Sequence, residues 1–437
     1  MDKLIHNGTL VVMDDAFTIL TSGAVAIQDG IIRKVWSPRP GEPLPEADAV
    51  VDAGGGLIMP GLVNAHIHLP MSLFRGMADD LSLDQWLNEH IFPAEAAHIS
   101  PRNVGIGARL SLAEMLLSGT TTCCDGYFLE SFVAPAAKES GIRAVLGQGV
   151  IDFPAPGVPH PGENIAHAAA FVKDWQAQTS NIQPSIFCHS PYTCSDSTLR
   201  KAKATATELG VLFQIHVAET AVEADQCRQK NGCSPVQHLH RLGILDEHSL
   251  LIHAIWVDAE DIDIIAHTGA GVVHCPESNM KLASGIAPVP VFIRAGIACG
   301  LGTDGCASNN DLSLFGEMRT AALLHKVGQM DPTALDAATT LKMATTEGAR
   351  ALGMAHTIGS LEVGKQADII LVDVDTPHMV PLYHPASHLV YAASGSDVRH
   401  VFIGGRWVVR NGILQTMDLD SILSEARALG RVIAGPS

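Results

Sequence analysis

The sequence has little charge, and little positive charge above all. Only 17% of its 437 residues are charged, and 28 Lys and Arg stand against 46 Asp and Glu, a formal net charge of −18. Nucleic acids and anionic membranes are bound mainly through clustered Lys and Arg, so this balance argues against both as partners. Hydrophobic residues reach 47%. The chain can therefore bury a large core, and disorder is excluded.

Several motifs are also missing. The nine cysteines show no C-x-x-C spacing, so reduced thiols are expected instead of a disulfide framework. No run of 18 apolar residues and no signal-peptide h-region occurs, and we expect a soluble, cytoplasmic protein. Neither G-x-G-x-x-G opening a helix nor G-x-x-x-x-G-K-[ST] is present. Dinucleotide and P-loop sites therefore have no support.

The two ends of the chain share a sequence pattern of short predicted strands joined by turns. The first sixty residues alternate β-rich runs with turn pairs such as Asn7-Gly8 and Asp29-Gly30, which is typical of hairpins. The same pattern occurs near the C-terminus, in SLEVGKQADIILVDVD and VRHVFIGGRWVVRNGIL. We therefore predict one small β-sandwich domain, with a C-terminal helix, composed of residues 1–60 and 362–437.

The middle of the chain, residues 61–361, alternates apolar strands with helical stretches. Eight strand candidates can be counted: GLVNAHIHL, TTTCCDG, RAVLGQGVID, SIFCHSPYT, LFQIHVAET, LLIHAIWV, GVVHCPES and ACGLGTDG. Eight such units predict an α/β fold of the (β/α)8 TIM-type barrel. The alternative is an open doubly wound sheet. Among the helices, DSTLRKAKATATELG has Asp196 and Ser197 in N-cap range.

Ligand-capable side chains fall at the downstream ends of these strands. In a barrel those ends converge on one face, where active sites are built. Residues two apart on a strand share a face, so His66 and His68 can point at one ion. An isolated H-x-H would be weak evidence among 21 histidines, but five strand ends carry imidazole or carboxylate. These residues are His66, His68, His189, His216, Glu219, His253 and Asp304.

Three imidazoles with one carboxylate are the ligand chemistry of Zn²⁺ or another first-row divalent ion, with room left for water. We therefore predict a catalytic metal site. Many two-metal barrel hydrolases bridge their ions with a lysine on the fourth strand, whereas SIFCHSPYT contains none. One divalent metal per chain is expected, with Zn²⁺ favoured and Fe²⁺ or Mn²⁺ also suited to the ligands.

Four segments carry a family resemblance: PGLVNAHIHLPMSLFRGMADDLSLDQWL, HVAET, VVHCPESNMKLASGIAPVP and GLGTDGCASNNDLSLFGEMR. They resemble the amidohydrolase superfamily, in its branch of nucleobase and triazine aminohydrolases. Within that branch they are similar to the 5-methylthioadenosine/S-adenosylhomocysteine deaminases. The resemblance implies a metal-dependent hydrolytic deaminase of adenine nucleosides, which releases ammonia, and a homodimer.

The resemblance also implies residue roles. It makes His66, His68, His216 and Asp304 the metal ligands. It assigns Glu219 to protonating a ring nitrogen and His253 to carrying protons beside the metal. Substrate binding falls to Glu95 at the ribose hydroxyls and His189 at the purine, with Glu219 and Trp86 also candidates.

General chemistry supports the catalytic roles. A carboxylate touching metal and water, as Asp304 would, can take a proton from the water and later deliver it to nitrogen. Glu219 would have to enter the reaction protonated, which requires a raised pKa. Each residue also has a structural alternative: a helix-start carboxylate for Glu95 and Glu219, and core packing for His189, His253 and Trp86. No role is expected for His160, His238, His240, His274 and His325.

The sequence indicates the type of reaction more specifically than it indicates the substrate. Relatives that accept S-adenosylhomocysteine are thought to hold its carboxylate with arginine near the third strand. Here no Lys or Arg occurs between Arg143 and Lys173, and a carboxylate is best bound by a guanidinium. The uncharged 5′-methylthioadenosine, or adenosine itself, is therefore expected over S-adenosylhomocysteine.

Three other functions stay open. One is another reaction of the same branch: a guanine, 8-oxoguanine or melamine deaminase, or a chlorotriazine hydrolase. Glu95 counts against it, because a free base has no ribose to bind. The second is a metal-dependent cyclic amide hydrolase, disfavoured by the missing strand-four lysine. The third is a metal-binding scaffold without activity, which would leave costly polar residues around the site unexplained.

Overall fold

The computed structural model describes residues 1–435. Its strands are β1 (Lys3–Val11), β2 (Ile19–Gln28), β3 (Ile31–Trp36), β4 (Ala49–Asp52), β5 (Leu57–Pro60), β6 (Leu62–His68), β7 (Thr120–Tyr127), β8 (Arg143–Val150), β9 (Ile182–Cys188), β10 (Phe213–Val217), β11 (Ser249–His253), β12 (Gly271–His274), β13 (Cys299–Leu301), β14 (Asp304–Gly305), β15 (Ile369–Val372), β16 (Val398–Ile403), β17 (Arg406–Arg410) and β18 (Ile413–Leu414).

Helices fill the connections. They are α1 (Leu83–Gln85), α2 (Phe92–His98), α3 (Pro101–Leu117), α4 (Glu130–Ser140), α5 (Asn164–Trp175), α6 (Asp196–Leu209), α7 (Ala221–Asn231), α8 (Pro235–Arg241), α9 (Ala259–Thr268), α10 (Pro276–Lys281), α11 (Val289–Arg294), α12 (Cys306–Asn309), α13 (Leu314–Gln329), α14 (Ala337–Met343), α15 (Thr346–Ala351), α16 (Pro385–Tyr391) and α17 (Leu419–Ile433). Short 3-10 turns occur at Leu69–Phe74, Pro161–Glu163 and Gly395–Asp397. Among residues 1–435 no helix has the length and apolar character needed to cross a bilayer.

The terminal strands form one mixed sheet. Its order is β18-β17-β16-β15-β5-β1-β2-β3, and β4 pairs with β1 as a side branch. The sheet curls, since Ile31 at the start of β3 bridges to Gln366, which lies just before β15. One face thereby encloses a core that includes Ile5, Ile27 and Phe402. The predicted β domain from both termini is confirmed, as a curled sheet.

The middle of the chain forms a closed barrel. Seven parallel strands, β6 to β12, pair with their neighbours in chain order. The eighth strand is split: β13 pairs with β12, while β14 pairs with β6 and completes the circle. The predicted (β/α)8 barrel is therefore confirmed, and the open sheet is excluded. The division at residues 60/61 and 361/362 stays a prediction.

The split strand lies very close to β6. A Cβ on Gly302 would lie 2.9 Å from the backbone N and O of His66. Only glycine fits this approach without moving one strand away from the other. The break after β13 then carries Asp304 beside Ile67, its partner on β6. The closure of the barrel thus brings the last strand to the H-x-H of the first.

One predicted helix start was misplaced by a residue. The N-cap of α6 is Ser195, whose hydroxyl accepts a hydrogen bond from the Thr198 backbone N–H at 3.3 Å. Asp196, which was expected to cap, is the first helical residue instead. The sequence does not distinguish Ser195 from Asp196 as the N-cap, because the two residues are adjacent and both residue types are good N-caps.

A buried ion pair joins the barrel to the terminal sheet. Arg143 opens β8, and its Nε and Nη2 donate to the two carboxylate oxygens of Asp368 at 2.9 and 3.2 Å. Asp368 Oδ1 also accepts from the Gly404 backbone N at 2.7 Å. The two side chains are only 4% and 3% exposed. Each charge is thus held away from water and depends on its partner.

We predict that Asp368→Ala destabilises the protein by about 3–5 kcal/mol, because it leaves the Arg143 guanidinium buried and unpaired. The free energy of unfolding in urea measures the effect. Asp225→Ala, which breaks the surface pair with Arg228, is the matched control and should cost less than about 1 kcal/mol. Equal losses in the two variants would contradict this account of the pair.

Candidate metal centre and active site

Four predicted ligands meet where β14 joins β6. His66 and His68 come from β6, His216 from β10 and Asp304 from β14. One ligand atom from each lies within 4.8 Å of every other. No other group of three or more His, Cys, Asp or Glu with this geometry occurs in the described part of the chain.

The spacing of these atoms fits one small cation. Asp304 Oδ1 lies 3.2 Å from Nε2 of His68 and 3.5 Å from Nε2 of His66. The Nε2 atoms of His66 and His216 are 3.2 Å apart. Nitrogen and oxygen ligands about 2.1 Å from a tetrahedral ion lie roughly 3.4 Å from one another. The donor set therefore suits a single divalent metal.

The protonation states suit a metal as well. Burial lowers the pKa of His66 to about 4, and burial with the neighbouring imidazoles holds the pKa of His216 well below its usual range. Both rings are therefore neutral at pH 7. Burial alone would raise the pKa of Asp304, but its hydrogen bonds with His66 and His68 outweigh that effect and lower it. His68 differs: burial alone would lower its pKa, but its hydrogen bond and charge attraction with Asp304 outweigh burial and raise it. Neutral imidazoles and an ionised carboxylate are the states that bind metal, so a metal that binds here would displace a proton from His68.

Hydrogen bonds behind the ligands orient two of them. His68 Nδ1 lies 2.6 Å from the Gly126 carbonyl oxygen, so Nδ1–H donates there and Nε2 presents its lone pair. Asp304 Oδ2 accepts from the hydroxyls of Ser278 and Ser308 at 2.6 and 3.1 Å. His66 differs, since its Nδ1 is buried without a hydrogen-bond partner among residues 1–435.

Glu219 and His253 lie together beside this cluster. Glu219 follows the end of β10, and its Oε2 is 3.7 Å from Nε2 of His253, the last residue of β11. His253 Nδ1 lies 2.9 Å from Asn279 Oδ1, which makes Nδ1 the donor and leaves Nε2 facing the carboxyl. Burial raises the pKa of Glu219. This is the direction that the sequence reasoning required of a residue that enters the reaction protonated.

A cavity with about 600 Å³ of empty space, part of it open to solvent, lies above these groups. The cluster and the Glu219–His253 pair form one side of it. The other sides are mostly apolar, and they include Met71, Leu83, Leu87, Ile91, Phe92, Phe128, Phe187, Tyr192 and Leu282. We call it the catalytic cavity.

Residues 83–98 cover this cavity, and we call them the cover segment. It runs from α1 through a π-helical turn, Trp86–Ile91, into α2. Such turns are rare and often lie at functional sites. All the expected substrate-binding residues line the cavity: Glu95 and Trp86 from the cover segment, with His189 and Glu219.

Two of these residues have unusual surroundings. Trp86 is 5% exposed, and its Nε1–H has no hydrogen-bond partner among residues 1–435. Its ring packs in a core cluster with Phe74 and Ile91 and also lines the cavity, so its role in substrate binding stays a prediction. Burial raises the pKa of Glu95 to about 7, although a hydrogen bond from Tyr127 opposes the shift.

His189 is held in place by a neighbouring hydroxyl. Its Nδ1 lies 3.0 Å from Thr193 Oγ1. Burial lowers the pKa of His189 to about 3, so the ring is neutral and one nitrogen remains for a polar ligand atom.

Sequence reasoning missed several supporting residues. Tyr127, which donates to Glu95 Oε1, ends the buried strand β7, and tyrosine was not among the residue types searched for at strand ends. Ser278 and Asn279 follow β12, and Ser308 lies just beyond β14. Polar residues after strand ends were the signal used for the histidines. Serine and asparagine are common in every turn, however, so the signal does not single these residues out.

A second, outer cavity adjoins the first. Both are lined by Leu83, Leu87, Phe92, Tyr192 and Leu282, and the outer one extends to Val222 and Trp256. Its charged lining residues are Asp84 and Glu223. Neither cavity has a Lys or Arg in its lining, within the part of the chain described.

The fold and the site together define a metal-dependent barrel hydrolase. Comparison with protein families agrees: residues 57–408 match the model of the amidohydrolase family. The chain belongs to this family, which confirms the resemblance seen in the sequence.

Three similar proteins give the comparison detail. A 5-methylthioadenosine/S-adenosylhomocysteine deaminase of Syntrophobacter fumaroxidans is 46% identical over 99% of this chain and 98% of its own. A 5′-deoxyadenosine deaminase of Methanosarcina mazei is 42% identical over 98% and 97%. The crystal structure of a Xanthomonas campestris adenosine deaminase with bound zinc is 40% identical and superposes with a TM-score of 0.97, covering 100% of this chain and 99% of its own.

We predict that His68→Ala weakens metal binding more than about 100-fold, because loss of a hydrogen-bond partner behind a ligand already costs about 10- to 100-fold. Metal content after dialysis, together with competition against a chelator, measures this. His240→Ala removes an exposed imidazole and should leave one equivalent bound. Two equivalents in the wild-type protein would contradict the single site.

Proposed function

We propose that this protein is a metal-dependent aminohydrolase that converts adenine nucleosides to their inosine analogues and releases ammonia. The observation that carries the proposal is the buried Glu219, with His253 beside it, at the edge of a His₃Asp cluster inside a mostly apolar cavity. The names of the similar proteins, which are deaminases of adenosine and its 5′ derivatives, support the same reaction.

His66, His68, His216 and Asp304 would hold the metal, which we propose to be zinc. When bound, such a cation lowers the pKa of a coordinated water from about 15.7 towards about 7. The Asp304 carboxylate lies among the ligands, so it accepts a proton from the attacking water. The two Asp304 oxygens have different neighbours: Oδ1 faces the imidazoles, and Oδ2 accepts hydrogen bonds from Ser278 and Ser308.

Glu219 supplies a proton to the base. A protonated ring nitrogen makes the amine-bearing carbon electrophilic, so that the bond from water oxygen to carbon can form. Burial keeps the Glu219 carboxyl protonated towards higher pH than a free carboxyl. Asp304 delivers the proton that it took from water to the leaving amine, the carbon–nitrogen bond breaks, and ammonia leaves. His253 Nε2 faces the Glu219 carboxyl and carries the second water proton to it, which replaces the proton that Glu219 gave to the ring nitrogen.

The remaining lining residues position the nucleoside. Glu95 accepts hydrogen bonds from ribose hydroxyls, with Tyr127 fixing its carboxyl. His189 contacts the purine edge, and the free Nε1–H of Trp86 donates to the nucleoside. The apolar walls exclude water from the reacting atoms, which strengthens the electrostatic interactions inside. A homodimer stays a prediction from the family resemblance.

The first test measures ammonia release from adenosine, 5′-methylthioadenosine, S-adenosylhomocysteine, guanine and melamine. We expect an adenine nucleoside to have the highest kcat/KM. Glu219→Gln, which cannot supply the proton, should lower kcat about 10²- to 10⁴-fold and leave metal content unchanged. Glu260→Gln on the exposed start of α9 is the control. A preference for guanine or melamine would overturn the nucleoside assignment.

The outer cavity suits an uncharged substituent on the 5′ side of the substrate. A substituent that leaves the catalytic cavity enters the outer cavity, where apolar and acidic side chains lie without a cation. A carboxylate there would stay unpaired, which costs about 1–3 kcal/mol or more. We therefore propose 5′-methylthioadenosine and adenosine as substrates ahead of S-adenosylhomocysteine.

We predict that kcat/KM for 5′-methylthioadenosine exceeds that for S-adenosylhomocysteine by about 10- to 100-fold, the ratio that about 1.4–2.8 kcal/mol gives. Val222→Arg places a guanidinium at the rim of the outer cavity and should narrow the ratio. Val222→Gln, polar but uncharged, should leave it unchanged. S-adenosylhomocysteine as the better substrate of the wild-type protein would refute the proposal.

A further inference from the structure

A buried glutamate outside the active site connects the two segments that hold Asp304. Glu317 lies in the first turn of α13 and is 0% exposed. Its carboxylate does not cap its own helix, because Ser313 does so by accepting from the Gly316 backbone N. Both Glu317 oxygens instead accept hydrogen bonds from other segments.

The first connection runs through Asn309. The Asn309 Nδ2 amide donates to Glu317 Oε1 at 2.5 Å and to the Thr303 carbonyl oxygen at 2.8 Å. Thr303 directly precedes Asp304, and Ser308, which donates to Asp304 Oδ2, directly precedes Asn309. This connection fixes the backbone on both sides of the ligand.

The second connection runs through α10. Glu317 Oε2 accepts from the Glu277 backbone N at 3.3 Å. The next residue, Ser278, donates to Asp304 Oδ2 at 2.6 Å. The Glu277 carboxylate accepts from Thr320 Oγ1 at 2.8 Å, which adds a link between α10 and α13. Glu317 thus anchors both hydroxyls that bind Asp304.

Asp304 needs such support. Its backbone has φ 57°, a left-handed conformation that costs a non-glycine residue about 1–2 kcal/mol. Such a conformation persists only where the surroundings hold it. If the two segments shifted, the backbone would relax and the carboxylate would turn away from the imidazoles.

We propose that Glu317 is a positioning residue for the metal site, acting through Asn309 and Glu277 on the two serines that orient the Asp304 carboxylate. The inference rests on the proposed metal site. Glu317 touches neither the substrate cavity nor the ligands, so its effect should fall on metal geometry and turnover and not on nucleoside binding.

The test uses Glu317→Gln in the whole chain of 437 residues. Burial raises the pKa of Glu317 well above its usual range, but either form of the carboxyl has two oxygens that can accept. An amide keeps one acceptor oxygen, so it can serve Asn309 or Glu277 but not both. We expect Zn²⁺ affinity, measured by chelator competition, or kcat to fall about 10- to 100-fold, the usual cost of losing support behind a ligand. KM should stay within about twofold. The visible spectrum of the Co²⁺-loaded variant should also differ from that of the wild type.

Two further variants separate positioning from a general loss of stability. Asp261→Asn alters another fully buried carboxylate, which accepts from Ser234 and from the backbone N–H of Asp258, the N-cap of α9, and it should change neither the Co²⁺ spectrum nor kcat. Glu317→Gln combined with Ser308→Ala should cost less than the sum of the single changes, because both act on one carboxylate.

The outcomes are distinguishable. A wild-type protein that binds no divalent metal would refute the metal site and with it the proposed function. A wild-type protein that binds metal, with Glu317→Gln matching it in Zn²⁺ affinity, Co²⁺ spectrum and kcat, would refute the role of Glu317 alone. Additive losses in the double variant, or losses equal to those of Asp261→Asn, would also refute it.

Discussion

The contact between β14 and β6 is the constraint on which the site depends. Strand eight pairs with β12 before its break and with β6 after it, and Gly302 lets the backbones approach. The same approach delivers Asp304, which is 238 residues from His66 in the chain, to within 3.5 Å of its imidazole. The contact that closes the barrel therefore also completes the ligand set. A barrel left open between β14 and β6 would lack a complete site.

The second organising feature is that the surroundings of two buried carboxyl groups favour opposite protonation states. Asp304 is surrounded by imidazoles and hydroxyl donors, which favour its ionised form. Glu219 is buried with one imidazole 3.7 Å away, and burial favours its neutral form. Carboxyl groups whose surroundings move their pKa values apart can divide the roles of base and acid. A hydrolytic deamination needs both, one to take a proton from water and one to give a proton to the base.

The fold and the principal site residues could be predicted because they depend on local patterns. Apolar strands at regular spacing indicated the barrel, and imidazoles or carboxylates at strand ends indicated where its site lies. Tyr127 and Glu317 could not be predicted in this way, because each acts on a partner brought close only by the tertiary fold. The break in strand eight was also unpredictable, since ACGLGTDG reads as one apolar run with glycines.

Backbone strain at the strand ends connects these observations. Ala218, His253 and Asp304 all have positive φ. The first two lie at or just after the carboxyl ends of β10 and β11, and Asp304 opens β14, the short second half of strand eight. None is a glycine, so each costs about 1–2 kcal/mol. The strain has a geometric use, because a left-handed residue turns the chain sharply and lets strand-end side chains aim inward at a common centre. A glycine at these positions would relieve the strain but carry no ligand, and at Ala218 it would loosen the turn that presents Glu219. The rigid barrel below can hold such residues, since its strands are buried on both faces and cannot shift to release them.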